Sequence, residues 1–242
     1  MLITAVSKIS EQSKKGSFEP SGFDVNFGFN EKYPPIKIVL DNGDEINLRG
    51  TIDRVDEFEN EEGKYIRIVD YKSSDKNISL TEVYHGLQLQ LLVYLDAILE
   101  RGNNLKPAAI LNSKIDDPIA KFDENKEDDE IREKILKDLK MQGLLIKNPS
   151  IIKEMDKALD QGEKATSLII PAAINKDGTL AKSTKGVTDE QFNIIRKYVK
   201  RTIKDICKDM LDGDISIHPY KNKDKNSCTF CNYSGICQFD SS

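Results

Sequence analysis

Three residues have the types and spacing for hydrolytic chemistry on a phosphate. Asp53 lies in Gly50-Thr51-Ile52-Asp53-Arg54-Val55-Asp56, and Asp70-Tyr71-Lys72 follows seventeen residues later. Alternate residues of a strand point to one face, so Asp70 and Lys72 project side by side. A hairpin turning near residues 61–63 brings Asp53 onto the neighbouring strand, close to Asp70. Two carboxylates this close repel each other unless a cation joins them, and hard oxygen ligands suit Mg2+ or Mn2+. A lysine beside such an ion can position a water or neutralise charge developing on a phosphate. The competing reading is that Asp, Arg and Lys simply line the solvated face of an antiparallel sheet.

Two further groups carry chemistry. Gln88 and Gln90 interrupt the apolar run LQLQLLVYL, and Gln90 and Tyr94, four apart, share one helix face. They can face a substrate backbone or form an ordinary helix edge. Cys228, Cys231 and Cys237 form C-x2-C-x5-C near the C-terminus. Thiolates so spaced suit zinc or an iron–sulfur cluster, and both generally take four ligands. Cys207, between Ile203 and Met210, reads as a small core residue. His85 reads as a surface or sheet-facing residue, and His218 as part of a loop.

These residues need a scaffold. Residues 22–29 alternate Phe23, Val25, Phe27 and Phe29, the period of a strand. Further strands are expected at 36–40, 46–55 and 64–72, separated by Asp41-Asn42-Gly43-Asp44 and by Gly63, which makes 22–72 an antiparallel meander. Ser79-Leu80-Thr81-Glu82 starts a helix carrying Val83, Leu87, Leu91, Leu95 and Ile98 inward, up to Gly102. A strand at 107–115 follows and can run parallel to the meander's last strand. Residues 116–130, with eight acids and two bases, read as a solvated segment. Residues 131–165 read as helical with breaks at Gly143 and Pro149, and 168–174 as a strand. Residues 175–186 read as a polar loop. A long helix opens at Thr188, with Phe192, Ile195, Val199, Ile203, Ile206 and Met210 inward and Gly213 as its stop. Its Lys197, Arg201, Lys204 and Lys208, with Arg196 and Lys200 adjacent, form a basic stripe that is either a solvated face or a contact for DNA phosphates.

Composition sets outer limits. Of 242 residues, 38% are hydrophobic and 32% charged, which suits a globular chain and excludes collagen-like, coiled-coil and wholly disordered classes. The net charge of −5 argues at first against a nucleic-acid partner. Its distribution does not: residues 41–70 hold ten acids and four bases, whereas 181–226 hold eleven bases and seven acids. The start lacks a secretory signal pattern and no apolar run reaches membrane-spanning length, so no membrane association and a cytoplasmic location are expected. Four cysteines are too few for a disulfide framework and point to thiol or metal chemistry.

The order GTIDRVD, IVDYKSS, LQLQLLVYL resembles the RecB-type nuclease domains of the PD-(D/E)XK superfamily, whose pattern is G-x-x-D-R, a strand with D-Y-K and a helix with Q-x-x-x-Y. FGFNEKYPPIKIVLDNGDEINLRGTIDRVD, SLTEVYHGLQLQLLVYLDAILE and CTFCNYSGICQFD are similar to the C-terminal nuclease domains of the AddB family of helicase–nuclease subunits, over residues 18–240. The resemblance implies an α/β restriction-endonuclease-like core, a mixed sheet flanked by helices, with a helical accessory segment and a C-terminal iron–sulfur tail. It divides the chain into 1–17 as a leader or helix remnant, 18–115 as nuclease core, 116–187 as accessory segment and 188–242 as basic helix and cysteine tail. Asp53, Asp70 and the Tyr71 carbonyl match metal ligands, Lys72 the catalytic lysine, and Gln90 and Tyr94 the helix motif facing DNA. The implied activity is a Mg2+-dependent DNA exonuclease in double-strand break repair, acting on a single strand with a 5′ or 3′ end beside an AddA-type helicase subunit.

Two family elements lack a match. The family carries a histidine or glutamate on an upstream helix, and a fourth cysteine upstream of the nuclease motifs. The only histidines here are His85 and His218, and no cysteine precedes Cys207. The resemblance therefore implies a fragment of a larger protein, with an incomplete metal site and Cys228, Cys231 and Cys237 as three of four ligands to a [4Fe–4S] cluster, or alternatively to Zn2+. The rival readings are a catalytically incomplete DNA-binding or scaffolding domain, and a standalone CRISPR-associated RecB-type exonuclease.

Overall fold

The computed structural model describes residues 9, 10, 12–102, 104–115, 128–222, 225–228, 231–237 and 239. The start of the leader and most of the acidic segment 116–130 lie outside them. The strands are β1 (Glu19–Phe27), β2 (Ile36–Val39), β3 (Glu45–Leu48), β4 (Gly50–Asn60), β5 (Gly63–Lys72), β6 (Leu105–Lys114), β7 (Gln142–Ile146), β8 (Ala165–Thr166), β9 (Ala173–Ile174) and β10 (Gly186–Val187). The helices are α1 (Leu80–Tyr84), α2 (Gln90–Leu99), α3 (Asp128–Asp138), α4 (Pro149–Met155), α5 (Asp189–Leu211) and α6 (Ser234–Cys237).

A six-stranded sheet in the order β1-β4-β5-β6-β7-β10 forms the centre. The pairs β1–β4, β4–β5 and β6–β7 are antiparallel, and β5–β6 and β7–β10 are parallel. This is the mixed sheet flanked by helices that the resemblance implies. Central β5 is buried on both faces, including Ile66, Ile68 and Val69. Helix α2 packs on β5 and β6, and α5 packs on α2. The other face is covered from the N-terminal side. Ser13 Oγ accepts from Arg54, and the Ser17 N–H bonds to the Glu154 carbonyl on α4.

The expected meander holds for β1, β4 and β5 but not for the residues between them. The single strand expected at 46–55 is broken at Arg49: β3 pairs with β2 in a separate hairpin, and β4 starts anew at Gly50. A Cβ on Gly50 would press on the Phe27 ring at 3.0 Å and touch the Tyr94 ring at 3.5 Å. The alternation of Phe23, Val25, Phe27 and Phe29 likewise holds only in part. Phe27 is core, Phe23 lies exposed on the edge strand, and Phe29 falls beyond the strand.

The single helix expected from Ser79 to Gly102 is two helices. Ser79 caps α1 by accepting from the Glu82 N–H, but Gly86 and Gln88 both take positive φ. The chain turns there, so Gln88 is not on a helix. Its side chain accepts from the Ser79 N–H at 3.0 Å and donates to Glu82. Gln90 thereby becomes the first residue of α2.

The stretch 131–165, expected to be helical, contains β7 between α3 and α4. Gly143 is no helix breaker but the point where β7 lies closest to β6. A Cβ there would sit 2.0 Å from the Ile110 carbonyl oxygen. Gly143→Ala is expected to push β7 off β6 and lower stability by about 1–3 kcal/mol; a chemical-denaturation midpoint equal to wild type would contradict this packing. The strand expected at 168–174 is reduced to the two residues of β9.

Helix α5 forms where expected, with a complete capping box between Thr188 and Gln191. Phe192, Val199 and Cys207 are buried, as the core reading of Cys207 requires. Ile206 and Met210 do not face inward: they are 41% and 73% exposed, because the last turns of α5 run past the sheet and α2. No described helix is long and apolar enough to cross a membrane.

Candidate functional site

The β4–β5 hairpin pairs Arg54 with Val69. Continued one step, this register sets Asp53 opposite Asp70, and directly opposed residues of an antiparallel pair share a face. The two carboxylates therefore meet as the turn spacing predicts. Asp53 Oδ2 accepts the Tyr71 backbone N–H at 2.7 Å, which ties the end of β4 to β5.

Asp70 is 2% exposed. Its Oδ2 is fully buried and makes no hydrogen bond of good geometry, although the Lys72 ammonium meets it as an ion pair. Burial raises the Asp70 carboxyl above the usual carboxylate range. The neighbouring Asp53 charge adds to that rise, and Lys72 opposes it. A buried carboxylate oxygen with an unused lone pair, beside a second carboxylate, is a site that favours a cation.

Lys72 is held in turn. Its Nζ donates to Gln90 Oε1 at 3.1 Å, and Gln90 Nε2 donates to the Tyr94 hydroxyl at 2.7 Å. The helix motif thus joins the carboxylates through the lysine. A small cavity opens beside this chain, lined by Lys72, Lys76, Ile78, Gln88, Gln90, Leu91 and Asn112. Sequence reading passed over Lys76. It lies on the loop after β5, where no periodicity marks it, yet its charge acts on Asp70, and Asn112 pins its carbonyl at 3.2 Å.

The opposite face of the same strands carries a second buried set. Asp56 is wholly buried. Its Oδ1 accepts from Arg54 Nε at 2.5 Å, and its Oδ2 from Arg67 Nε at 2.8 Å. Arg67 also lies over the Phe18 ring, 4.9 Å from its centroid. Arg54, adjacent to Asp53 in sequence, points away from the carboxylate pair toward Asp56 and Ser13, and the Arg67–Asp56 pair ties β5 to β4 from behind.

The basic stripe on α5 is largely used inside the fold. Arg196 pairs with buried Asp96 of α2, Lys200 with Glu100, and Lys204 with Asp41 of the β2–β3 turn. These pairs dock α5 on the core, which removes half of the stripe from any phosphate contact. Lys197, Arg201 and Lys208 remain exposed. His85 is exposed and packs against Tyr84 and Tyr220.

None of the four cysteines is in a disulfide. Among the described residues, no three His, Cys, Asp or Glu side chains converge closely enough to hold one ion. In the C-x2-C-x5-C tail the Cys231 N–H bonds to the Cys228 carbonyl in a turn, and Cys237 ends α6.

The family model of the PD-(D/E)XK nuclease superfamily matches residues 1–238. The chain belongs to this superfamily. It is 60% identical over 245 aligned positions to AddB of Clostridioides difficile (strain 630), a subunit of an ATP-dependent helicase/deoxyribonuclease, covering all of this chain and 21% of that relative. It is 53% identical over 244 positions to the protein of the same name from Thermoanaerobacter sp. (strain X514), covering 99% of this chain and 21% of the relative. The corresponding protein of Acetivibrio thermocellus is 46% identical over 241 positions, with 98% and 21% covered. The chain spans about a fifth of the length of these curated relatives. In this PD-(D/E)XK nuclease domain, Asp53, Asp70 and Lys72 lie together on the adjacent strands β4 and β5.

Proposed function

We propose that this chain is the nuclease domain of an AddAB-type helicase–nuclease. It hydrolyses DNA phosphodiester bonds as an exonuclease in the cytoplasm, on a single strand with a 5′ or 3′ end, during double-strand break repair beside an AddA-type helicase subunit. The observation that carries this reading is the buried, unsatisfied Asp70 oxygen set opposite Asp53 and beside Lys72. These residues fit a divalent cation, Mg2+ or Mn2+, held by Asp53, Asp70 and the Tyr71 carbonyl. Such an ion supplies Lewis-acid stabilisation of the phosphoryl oxygens and a more acidic water.

The chain's own residues do the rest. Lys72 presents a positive charge to the scissile phosphate. Gln90 and Tyr94 restrict the lysine to one orientation, so less is lost in ordering it when the substrate arrives. The buried Arg54–Asp56–Arg67 set keeps the β4–β5 register that places Asp53 and Asp70 face to face. The tail thiols of Cys228, Cys231 and Cys237 would supply three of the four ligands of a [4Fe–4S] cluster, or of Zn2+, and the hydrolysis itself uses none of them.

The test is cleavage of end-labelled single-stranded DNA while Mg2+ or Mn2+ is titrated. Activity that persists in excess chelator overturns the reading. DNA binding without cleavage at any metal concentration supports the non-catalytic alternative instead. The pH dependence has a definite sign. A proton and the cation compete for Asp70, whose pKa is raised, so acidification weakens metal binding at a higher pH than an ordinary aspartate would cause. Calorimetry in this range should show proton release as the metal binds; binding that is flat from about pH 7 down to the usual carboxylate range contradicts the assignment of Asp70 as a ligand.

A further inference from the structure

A second concavity adjoins the site and plays no part in the chemistry above. Phe27, Phe29, Glu31, Arg49, Gly50 and Thr51 are among the residues lining a cleft of about 430 Å3, within the range that small-ligand pockets occupy. Its floor is continuous with the site. Gly50 lies under the Tyr94 ring, and Phe27 packs edge-on against that ring, with centroids 5.9 Å apart. Thr51 shares a strand face with Asp53, two residues or roughly 7 Å along β4, and its hydroxyl donates to Asn26 Oδ1 at 2.7 Å.

The walls differ in chemistry. Phe29 is 64% exposed, a large ring with one face unused, and Arg49 is exposed beside it. The loop that carries Phe29 is braced: the Gly28 N–H bonds to the Tyr33 carbonyl at 2.7 Å. Arg101 of the α2 end lies over the Tyr33 ring and donates to the Pro34 carbonyl. An exposed ring on a braced loop, next to a cation and a short step along the strand from the carboxylates, suits a nucleobase and its phosphate. Glu31 on the rim disfavours a phosphate on its own side and leaves Arg49 as the anion-binding wall.

We propose that this cleft is a base-binding subsite for single-stranded DNA, in which Phe29 stacks on the nucleotide next to the bond to be cut and Arg49 holds its phosphate. The proposal rests on the nuclease reading of Asp53, Asp70 and Lys72. The test uses the full chain in chelator, so that no cleavage intervenes, with single-stranded oligonucleotides carrying 2-aminopurine near one end. Stacking on Phe29 quenches the fluorescence. Phe29→Ala is expected to abolish the quench and weaken binding by about 5- to 100-fold, the range of base–aromatic stacking, whereas Phe29→Tyr retains both. Arg49→Ala is expected to weaken binding and flatten its salt dependence. Phe29→Ala binding and quenching like wild type overturns the subsite. The two readings fail separately: Asp70→Asn that still cleaves in Mg2+ defeats the assignment of Asp70 to the nuclease site, and unchanged binding in Phe29→Ala defeats the subsite alone.

Discussion

Asp70→Asn is expected to remove DNA cleavage, by at least about 10³-fold, without unfolding the chain. The activity loss follows from geometry. Asp70 is the buried carboxylate whose Oδ2 meets only the Lys72 ammonium, and the neutral amide of asparagine lacks the charge with which a carboxylate holds a hard cation. Removing one preorganised electrostatic partner of a transition state already costs about 10²–10³ in rate, and losing a bound ion costs more. Stability is expected to change in the opposite direction. Burial and Asp53 raise the Asp70 pKa, so the ionised form is the one the fold disfavours. Its contribution to stability is greatest below the ordinary carboxylate pKa and is lost as the pH rises through the raised value. A neutral isostere relieves that penalty at neutral pH. Thermal unfolding of Asp70→Asn should therefore match or exceed wild type while cleavage disappears. Wild-type cleavage in this variant would remove Asp70 from the site, and a large fall in melting temperature would mean that the lost activity reports unfolding.

Asp56→Ala is expected to have the largest effect on stability, for a reason on the other side of the same strands. Asp56 is the shared counter-ion of two arginines in a region closed to water. Its removal leaves Arg54 and Arg67 without their shared counter-ion, and breaking a buried ion pair by removing one partner costs about 3–5 kcal/mol. At this chain length that corresponds to a melting temperature lower by on the order of 10 °C. Burial already lowers the Arg67 pKa even with Asp56 present, which shows how closed the environment is. Asp56→Ala should also weaken cation binding, because β4 and β5 lose the clamp that sets Asp53 against Asp70. A variant with unchanged stability would show that water reaches these arginines.

The two predictions together explain how the motif is built. Along β4, Asp53 lies on one face while Arg54 and Asp56 lie on the other. Along β5, Asp70 and Lys72 share the face of Asp53, while Arg67 and Val69 share that of Arg54 and Asp56. One strand alternation thus separates the proposed metal-binding face from the buried ion-pair face, and the arginine of the G-x-x-D-R pattern belongs to the latter.

The pairing of Asp53 with Asp70, the projection of Lys72 beside Asp70 and the parallel placement of β6 were all legible from the chain alone. Each depends on short-range rules: strand alternation, a tight turn near Gly63, and a helix between successive strands. The start of α5 was legible for the same reason, since a capping box is written in four consecutive residues.

What the sequence left open depended on contacts between distant segments. The break at Arg49 separates β3, which pairs with β2, from β4, which pairs with distant β1 and β5, and β7 forms where a short apolar run pairs with the edge of β6. The helix split at Gly86–Gln88 places Gln90 at the start of α2, where it can reach Lys72. The basic stripe of α5 is periodic in sequence, but only the positions of Asp96, Glu100 and Asp41 decide which of its charges are already used. The residue types that do chemistry were determined locally by the sequence. Tertiary structure decided which neighbours hold them in place and which charges remain free, because burial and pairing are properties of the packed chain and not of any one segment.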